Sequence, residues 1–151
     1  MSFDFRFDHI AIQARDHANT VAWYREFFGC AENWHMTKEQ LQNPARMPTC
    51  NQLCELQTGA MKFHIFDIAV DYILQPTNAL GIVHFCLEVS SLEKLEASRE
   101  RWIRLFRSGK YHFETAEEPT SLIASSDGMV GFYARDPNGI EFEILFQPLK
   151  P

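Results

Sequence analysis

Phe132-Tyr133-Ala134-Arg135-Asp136-Pro137-Asn138-Gly139-Ile140-Glu141-Phe142-Glu143-Ile144-Leu145 reads as two strands folded back on a turn. Pro presets one backbone angle, Asn and Gly tolerate left-handed conformations, and apolar alternation resumes at once on the far side. In the returning strand Ile140, Phe142, Ile144 and Phe146 share one face, and Glu141, Glu143 and Leu145 share the other, because strand side chains alternate. A carboxylate among apolar neighbours in a mid-sheet strand is costly unless something pairs with it, so Glu143 points to partners elsewhere in the chain.

Working outward, Phe5 to Gln13 alternates, with His9, Ala11 and Gln13 on one face and Asp8, Ile10 and Ile12 on the other. Asp16 to Gly29 predicts a helix, with Asp16 as N-cap, Gly29 as its stop, and Val21, Trp23, Tyr24, Phe27 and Phe28 near helical spacing. Cys30 to Met36, Thr49 to Gln57 and Ala60 to Ile68 read as strands, the last with Lys62, His64 and Phe66 on one face. Thr37 to Pro48, rich in Gln, Asn and Pro, reads as an irregular loop and a candidate lid.

After a linker, Ala69 to Leu80, the plan begins again. Gly81 to Val89 is a strand around His84, and Ser90 or Ser91 caps a helix running to Gly109 with Leu92, Leu95, Trp102, Ile103 and Phe106 on its apolar side. Arg99, Arg101, Arg104 and Arg107 read as its solvated side. Tyr111 to Phe113, Leu122 to Ala124, Val130 to Ala134 and Ile140 to Phe146 offer short strands. Residues 1–75 and 76–151 are thus two modules of one compact domain, sharing an order of strand with His, helix ending in Gly, then strands. His9 and His84 lie 75 positions apart, and the intervals His9 to His64 and His84 to Glu143 are 55 and 59. A repeat therefore sets His9 and His84 on first strands, and His64 and Glu143 on last strands.

Three imidazoles and a carboxylate suit a divalent first-row metal, which takes neutral imidazole nitrogen and carboxylate oxygen. Taken singly, each histidine reads first as a half-buried imidazole bonded to backbone, and Glu143 as a surface carboxylate on an edge strand. The matched placement in both halves favours the metal. His17, His35 and His112 lack counterparts and read as surface or pocket-wall residues.

The chain's 151 residues, 46% hydrophobic and 23% charged, are ordinary globular material. A net charge of -6 without a basic cluster beyond one helix argues against nucleic-acid and anionic-membrane partners. No apolar run reaches the roughly 18 residues of a membrane span and the N-terminus lacks a signal-peptide layout, so a cytoplasmic location is expected. Cys30, Cys50, Cys54 and Cys86 form no C-x-x-C pair and read as free thiols.

The segments F-D-H-I-A-I and V-A-W-Y-R-E-F-F-G in the first half, with V-H-F-C-L-E-V and G-F-Y-A-R-D-P-N-G-I-E-F-E-I in the second, resemble the vicinal oxygen chelate superfamily. That group includes glyoxalase I, methylmalonyl-CoA epimerase, extradiol dioxygenases, and fosfomycin- and bleomycin-resistance proteins. The resemblance spans essentially the whole chain. It implies an α+β fold of two tandem βαβββ modules, each curling a mixed sheet, together enclosing a metal site whose ligands match His9, His64, His84 and Glu143. It further implies a metal-dependent isomerase, epimerase or lyase that acts on a small carbonyl substrate through a metal-bound enolate or enediolate. Zn, Ni, Co or Mn would serve as the ion, Glu143 would double as base, and a homodimer is expected.

Departures from the family's patterns narrow the choice. Glyoxalase I has a carboxylate where this chain has His64. The region of a second epimerase Glu is here Met47-Pro48, and the fosfomycin-modifying members have Thr where this chain has Ala11. Tyr133, ten residues before Glu143, matches a substrate-contacting Tyr of that last group, and equally fits a hairpin aromatic packed on the sheet. An alternative activity is an Fe(II) ring-cleaving dioxygenase, with His9, His84 and Glu143 as a two-His-one-carboxylate triad and His64 as acid or base. A non-enzymatic alternative is a ligand-sequestering resistance protein with an aromatic pocket from Trp23, Trp34 or Phe132.

Overall fold

A computed structural model of the chain describes residues 6–41, 50–67, 84–126 and 128–148. Two compact units, Met1–Thr77 and Asn78–Pro151, divide it. The expected boundary at residue 75, the linker and most of the candidate lid lie outside the described residues.

The first unit runs β1 (Ile10–Ala14), α1 (His17–Phe27), β2 (Ala31–Thr37), β3 (Gln52–Thr58) and β4 (Met61–Asp67), with a 3-10 turn over Lys38–Gln40. Its sheet has the order β1-β4-β3-β2. The Asp16 carboxylate accepts from Asn19 N at 3.0 Å and so caps α1, while Gly29 takes the left-handed φ of 69° expected of a helix stop. The aromatic stripe of the helix seats on the sheet: Trp23 and Tyr24 are fully buried, and Tyr24 meets Phe63 of β4 edge-on at 4.9 Å between ring centroids. Fully burying a large apolar side chain stabilises by roughly 1.5–3 kcal/mol, so this stripe is what fixes α1 on β3 and β4.

The second unit runs β5 (Phe85–Glu88), α2 (Leu92–Arg107), β6 (Ile123–Ala124), β7 (Val130–Arg135) and β8 (Glu141–Phe146), with the order β5-β8-β7-β6. Ser91 caps α2 by accepting from Lys94 N. Each unit is therefore a βαβββ module whose first strand pairs with its last in parallel, the remaining pairs being antiparallel.

Several expectations need correction. The buried side of α2 is Leu95, Trp102 and Leu105, with Leu92 exposed and Ile103 only half-buried, because α2 turns 105 rather than 103 toward β7 and β8. Tyr111 to Phe113 forms no strand; its rings serve the helix instead, Phe113 packing on Trp102 and Phe106. Arg99 is half-buried rather than solvated, and donates to the carbonyl oxygens of Pro119 and Thr120.

The β7–β8 hairpin forms as its turn chemistry demands. Asp136 is fully buried, and its carboxylate accepts from Asn138 N at 2.9 Å, Ile140 N at 2.8 Å and Asn138 Nδ2 at 3.1 Å. Gly139 carries a φ of 82°. Since a hydrogen bond to a charged group is worth about 1.5–3 kcal/mol and orphaned donors add to the loss, Asp136→Ala is expected to destabilise by roughly 3 kcal/mol in denaturant titration. A loss under about 0.5 kcal/mol would show that the turn does not depend on this side chain.

Candidate functional site

The register of the two sheets is the same. His9 stands just before β1, and Ala11, two residues on, pairs with His64 of β4. His84 stands just before β5, and Cys86, two residues on, pairs with Glu143 of β8. On the other side of each last strand the antiparallel partner of His64 is Glu55, and that of Glu143 is Tyr133. Each module therefore brings its own two predicted ligands together on one face of its sheet.

In the first module the His9 and His64 rings stack, 3.6 Å apart and 16° from parallel. His9 Nδ1 meets Asp8 Oδ2 at 2.7 Å. Alternation puts Asp8 on the opposite face, but the strand begins only at Ile10, so Asp8 is free to turn toward His9. The His9 contact, then Lys62, holds the Asp8 carboxyl below the ordinary range. His64 Nε2 meets Glu55 Oε2 at 2.9 Å, and Trp34 stands edge-on to the His64 ring at 5.1 Å. Asn33 Nδ2 donates to Glu55 Oε1 at 2.8 Å, and Lys62 Nζ lies 3.9 Å from Glu55 Oε2. The Asn33 and His64 hydrogen bonds hold the Glu55 carboxyl below its ordinary value.

Glu55 is the residue that sequence reasoning misses. The signal is present: a two-residue turn at Gly59-Ala60 pairs Thr58 with Met61, and counting back along that hairpin sets Glu55 opposite His64. The equivalent count along the last hairpin sets Tyr133 opposite Glu143.

In the second module His84 Nε2 lies 3.3 Å from Glu143 Oε2. Glu143 is buried, with Cys86 on one neighbouring strand and Tyr133 on the other. The Glu143 charge, then burial, raises the Tyr133 hydroxyl above the usual phenol range, and Tyr133 meets the His84 ring edge-on at 5.4 Å. Burial, then Glu143, pushes the Cys86 thiol up to about 12. Gly131 makes room: a Cβ there would lie 3.3 Å from Glu143 Oε1 and 3.1 Å from the Ile144 carbonyl oxygen.

Other candidates are placed differently. Trp23 and Phe132 are fully buried in the cores, so neither can wall a pocket, whereas Trp34 is half-buried on the His64 face. His17 is buried rather than superficial, with Nε2 donating to the Ile65 carbonyl at 3.1 Å, because the first turn of α1 packs on β4. His35 and His112 are exposed. The four cysteines are free thiols, and burial raises those of Cys30 and Cys54 to about 12.

In the second module the His84–Glu143 contact is that of an ordinary ion pair, and it is also compatible with two ligands of one ion. Two ligands of a tetrahedral ion with bonds of about 2.1 Å stand roughly 3.4 Å apart, which the 3.3 Å between His84 Nε2 and Glu143 Oε2 matches. His84 Nδ1 is buried without a hydrogen-bond partner among the described residues, so nothing there competes for the ring's orientation. Among the described residues no three His, Cys, Asp or Glu side chains form a ready metal cluster. What each module supplies is a pair.

No family model matches the chain, and no curated protein matches it. Solved structures do. A glyoxalase family protein from Enterococcus faecalis is 21% identical, with 95% of this chain and 99% of that chain covered and a TM-score of 0.66. A glyoxylase/bleomycin resistance protein/dioxygenase domain from Frankia is 15% identical over 97% of this chain and 95% of that one, at a TM-score of 0.72. The fosfomycin resistance protein FosX of Listeria monocytogenes is 16% identical over 97% of each chain at 0.66. FosX has also been solved with Mn(II) and sulfate.

Proposed function

We propose that this chain, which has the βαβββ fold of the vicinal oxygen chelate proteins, is a metal-dependent isomerase, epimerase or lyase acting on a small carbonyl compound with a neighbouring oxygen. His9, His64, His84 and Glu143 hold one divalent ion, among Zn, Ni, Co and Mn. The observation that supports this most is the shared register: both modules set two ligand-type side chains in contact at the same two sheet positions. The repeated fold sets the register, and what supports the reading is that ligand-type side chains occupy the same two positions in both modules.

When bound, such an ion polarises adjacent substrate oxygens as a Lewis acid, a contribution worth several kcal/mol. The chain's own groups do the rest. Glu143 accepts the proton from the carbon beside the carbonyl and returns it, as a general base within about 3 Å would. Tyr133, raised in pKa, keeps its proton and donates to Glu143 or to a substrate oxygen. Trp34 stands beside the His64 ring, which stacks on His9.

A second reading gives the His64–Glu55 contact a different use, with the Nδ1 of His64 serving as acid or base rather than as ligand. His64 Nε2 is already engaged by Glu55, and setting His64 aside leaves His9, His84 and Glu143 as the triad of an Fe(II) ring-cleaving dioxygenase, with His64 as acid or base. Reconstitution separates the two. Deuterium exchange from solvent into a 2-oxoaldehyde or 2-oxoacid with Zn, Ni, Co or Mn supports the first reading; oxygen uptake with catechols under Fe(II) alone supports the second and overturns the first. Ligand binding without any metal uptake would make the protein a sequestering one.

A further inference from the structure

Glu55 stands in the middle of the first module's sheet, 7% exposed, with both oxygens engaged. Oε1 accepts from Asn33 Nδ2 at 2.8 Å, and that same nitrogen reaches Gln57 Oε1 at 2.7 Å. Oε2 meets His64 Nε2 at 2.9 Å. A carboxylate only accepts, so the proton in the second contact belongs to Nε2 of His64. A neutral imidazole with its proton on Nε2 has its lone pair on Nδ1. The ring is also held on its faces, by His9 at 3.6 Å and by the edge-on contact with Trp34 at 5.1 Å. His9 is bound the opposite way: its Nδ1 meets the Asp8 carboxylate, which leaves Nε2 as the nitrogen with the lone pair.

We propose that Glu55 is a positioning residue, held by Asn33, that fixes His64 in the Nε2–H tautomer and so makes Nδ1 the nitrogen His64 offers to the metal. Two stacked imidazoles then offer unlike nitrogens, Nε2 from His9 and Nδ1 from His64. The role of Nδ1 as ligand rests on the metal reading above; the tautomer does not. Outer carboxylates that orient ligand histidines change metal affinity by about 10–100-fold when lost.

The test is two-bond proton–nitrogen NMR of histidine-labelled, metal-free protein at a pH of about 8, where free imidazole is neutral. The His64 pattern, assigned by its loss in His64→Gln, is expected to be that of the Nε2–H tautomer in the wild type. In Glu55→Ala it is expected to move to averaged values, with Zn affinity about 10–100-fold weaker by calorimetry. An Nδ1–H pattern in the wild type overturns the proposal, as does an unchanged pattern in Glu55→Ala. Should Glu55→Ala fail to fold, the wild-type spectrum decides alone. Zn that does not bind the wild type at all defeats the metal reading, while the metal-free spectrum still supports or overturns the tautomer that Glu55 sets.

Discussion

Glu143→Gln is expected to slow solvent deuterium exchange at the carbon beside the substrate carbonyl by about 10²–10⁴-fold, the range that removal of a general base produces. Glutamine keeps the shape of the side chain but cannot accept a proton at neutral pH. Because Glu143 is also a proposed ligand, the metal content of both proteins is measured alongside, so that exchange lost in a metal-loaded variant reports proton transfer. The surroundings reinforce this. Glu143 is buried between β5 and β7, and Gly131 leaves the space its carboxylate occupies, so the amide fits the same slot. Equal thermal stability of the two proteins would confirm that geometry is kept. Exchange at the wild-type rate in Glu143→Gln would move the base to another residue.

Metal binding in His84→Ala is expected to fall by more than the roughly 100-fold that loss of an outer carboxylate produces, since a direct ligand is lost rather than its support. Thermal denaturation with and without added Zn or Mn gives the readout. An ion at 100 times its dissociation constant stabilises the wild type by about 2.7 kcal/mol, and that increment should vanish in the variant. The metal-free proteins differ by the loss of the 3.3 Å His84–Glu143 ion pair, so the readout is the metal-dependent increment in each protein rather than its metal-free stability. Full stoichiometry in His84→Ala would remove His84 from the ligand set.

What is legible in the sequence follows from which interactions are local. The two helices announce themselves through caps at Asp16 and at Ser90 or Ser91, with Gly29 and Gly109 as stops; the structure caps with Asp16 and Ser91 and gives both glycines positive φ. The Asp136-Pro137-Asn138-Gly139 turn is equally plain, since its hydrogen bonds close within five residues. Strand alternation correctly puts His64 with Lys62, and Glu143 opposite Phe142 and Ile144.

Interactions set by tertiary packing are not legible in this way. Nothing in the helical spacing of α2 distinguishes Leu105 from Ile103 as the side chain that meets the sheet. Asp8 cannot be placed by alternation because the strand it would be counted in starts after it. Glu55 looks like one more charged residue between Leu53 and Leu56 until strand register sets it against His64. Asn33 is hidden for another reason: a register irregularity between Glu32 and Trp34 breaks the period-2 count on β2 at the residue that holds Glu55.

Whether His9, His64, His84 and Glu143 share one cation is tested most directly by crystals grown with Mn or Zn and measured at the metal's absorption edge. A single anomalous peak is predicted, within about 2.0–2.3 Å of one nitrogen of each histidine and an oxygen of Glu143. A peak bonded to other side chains, or no peak in crystals that saturating metal has reached, would contradict it.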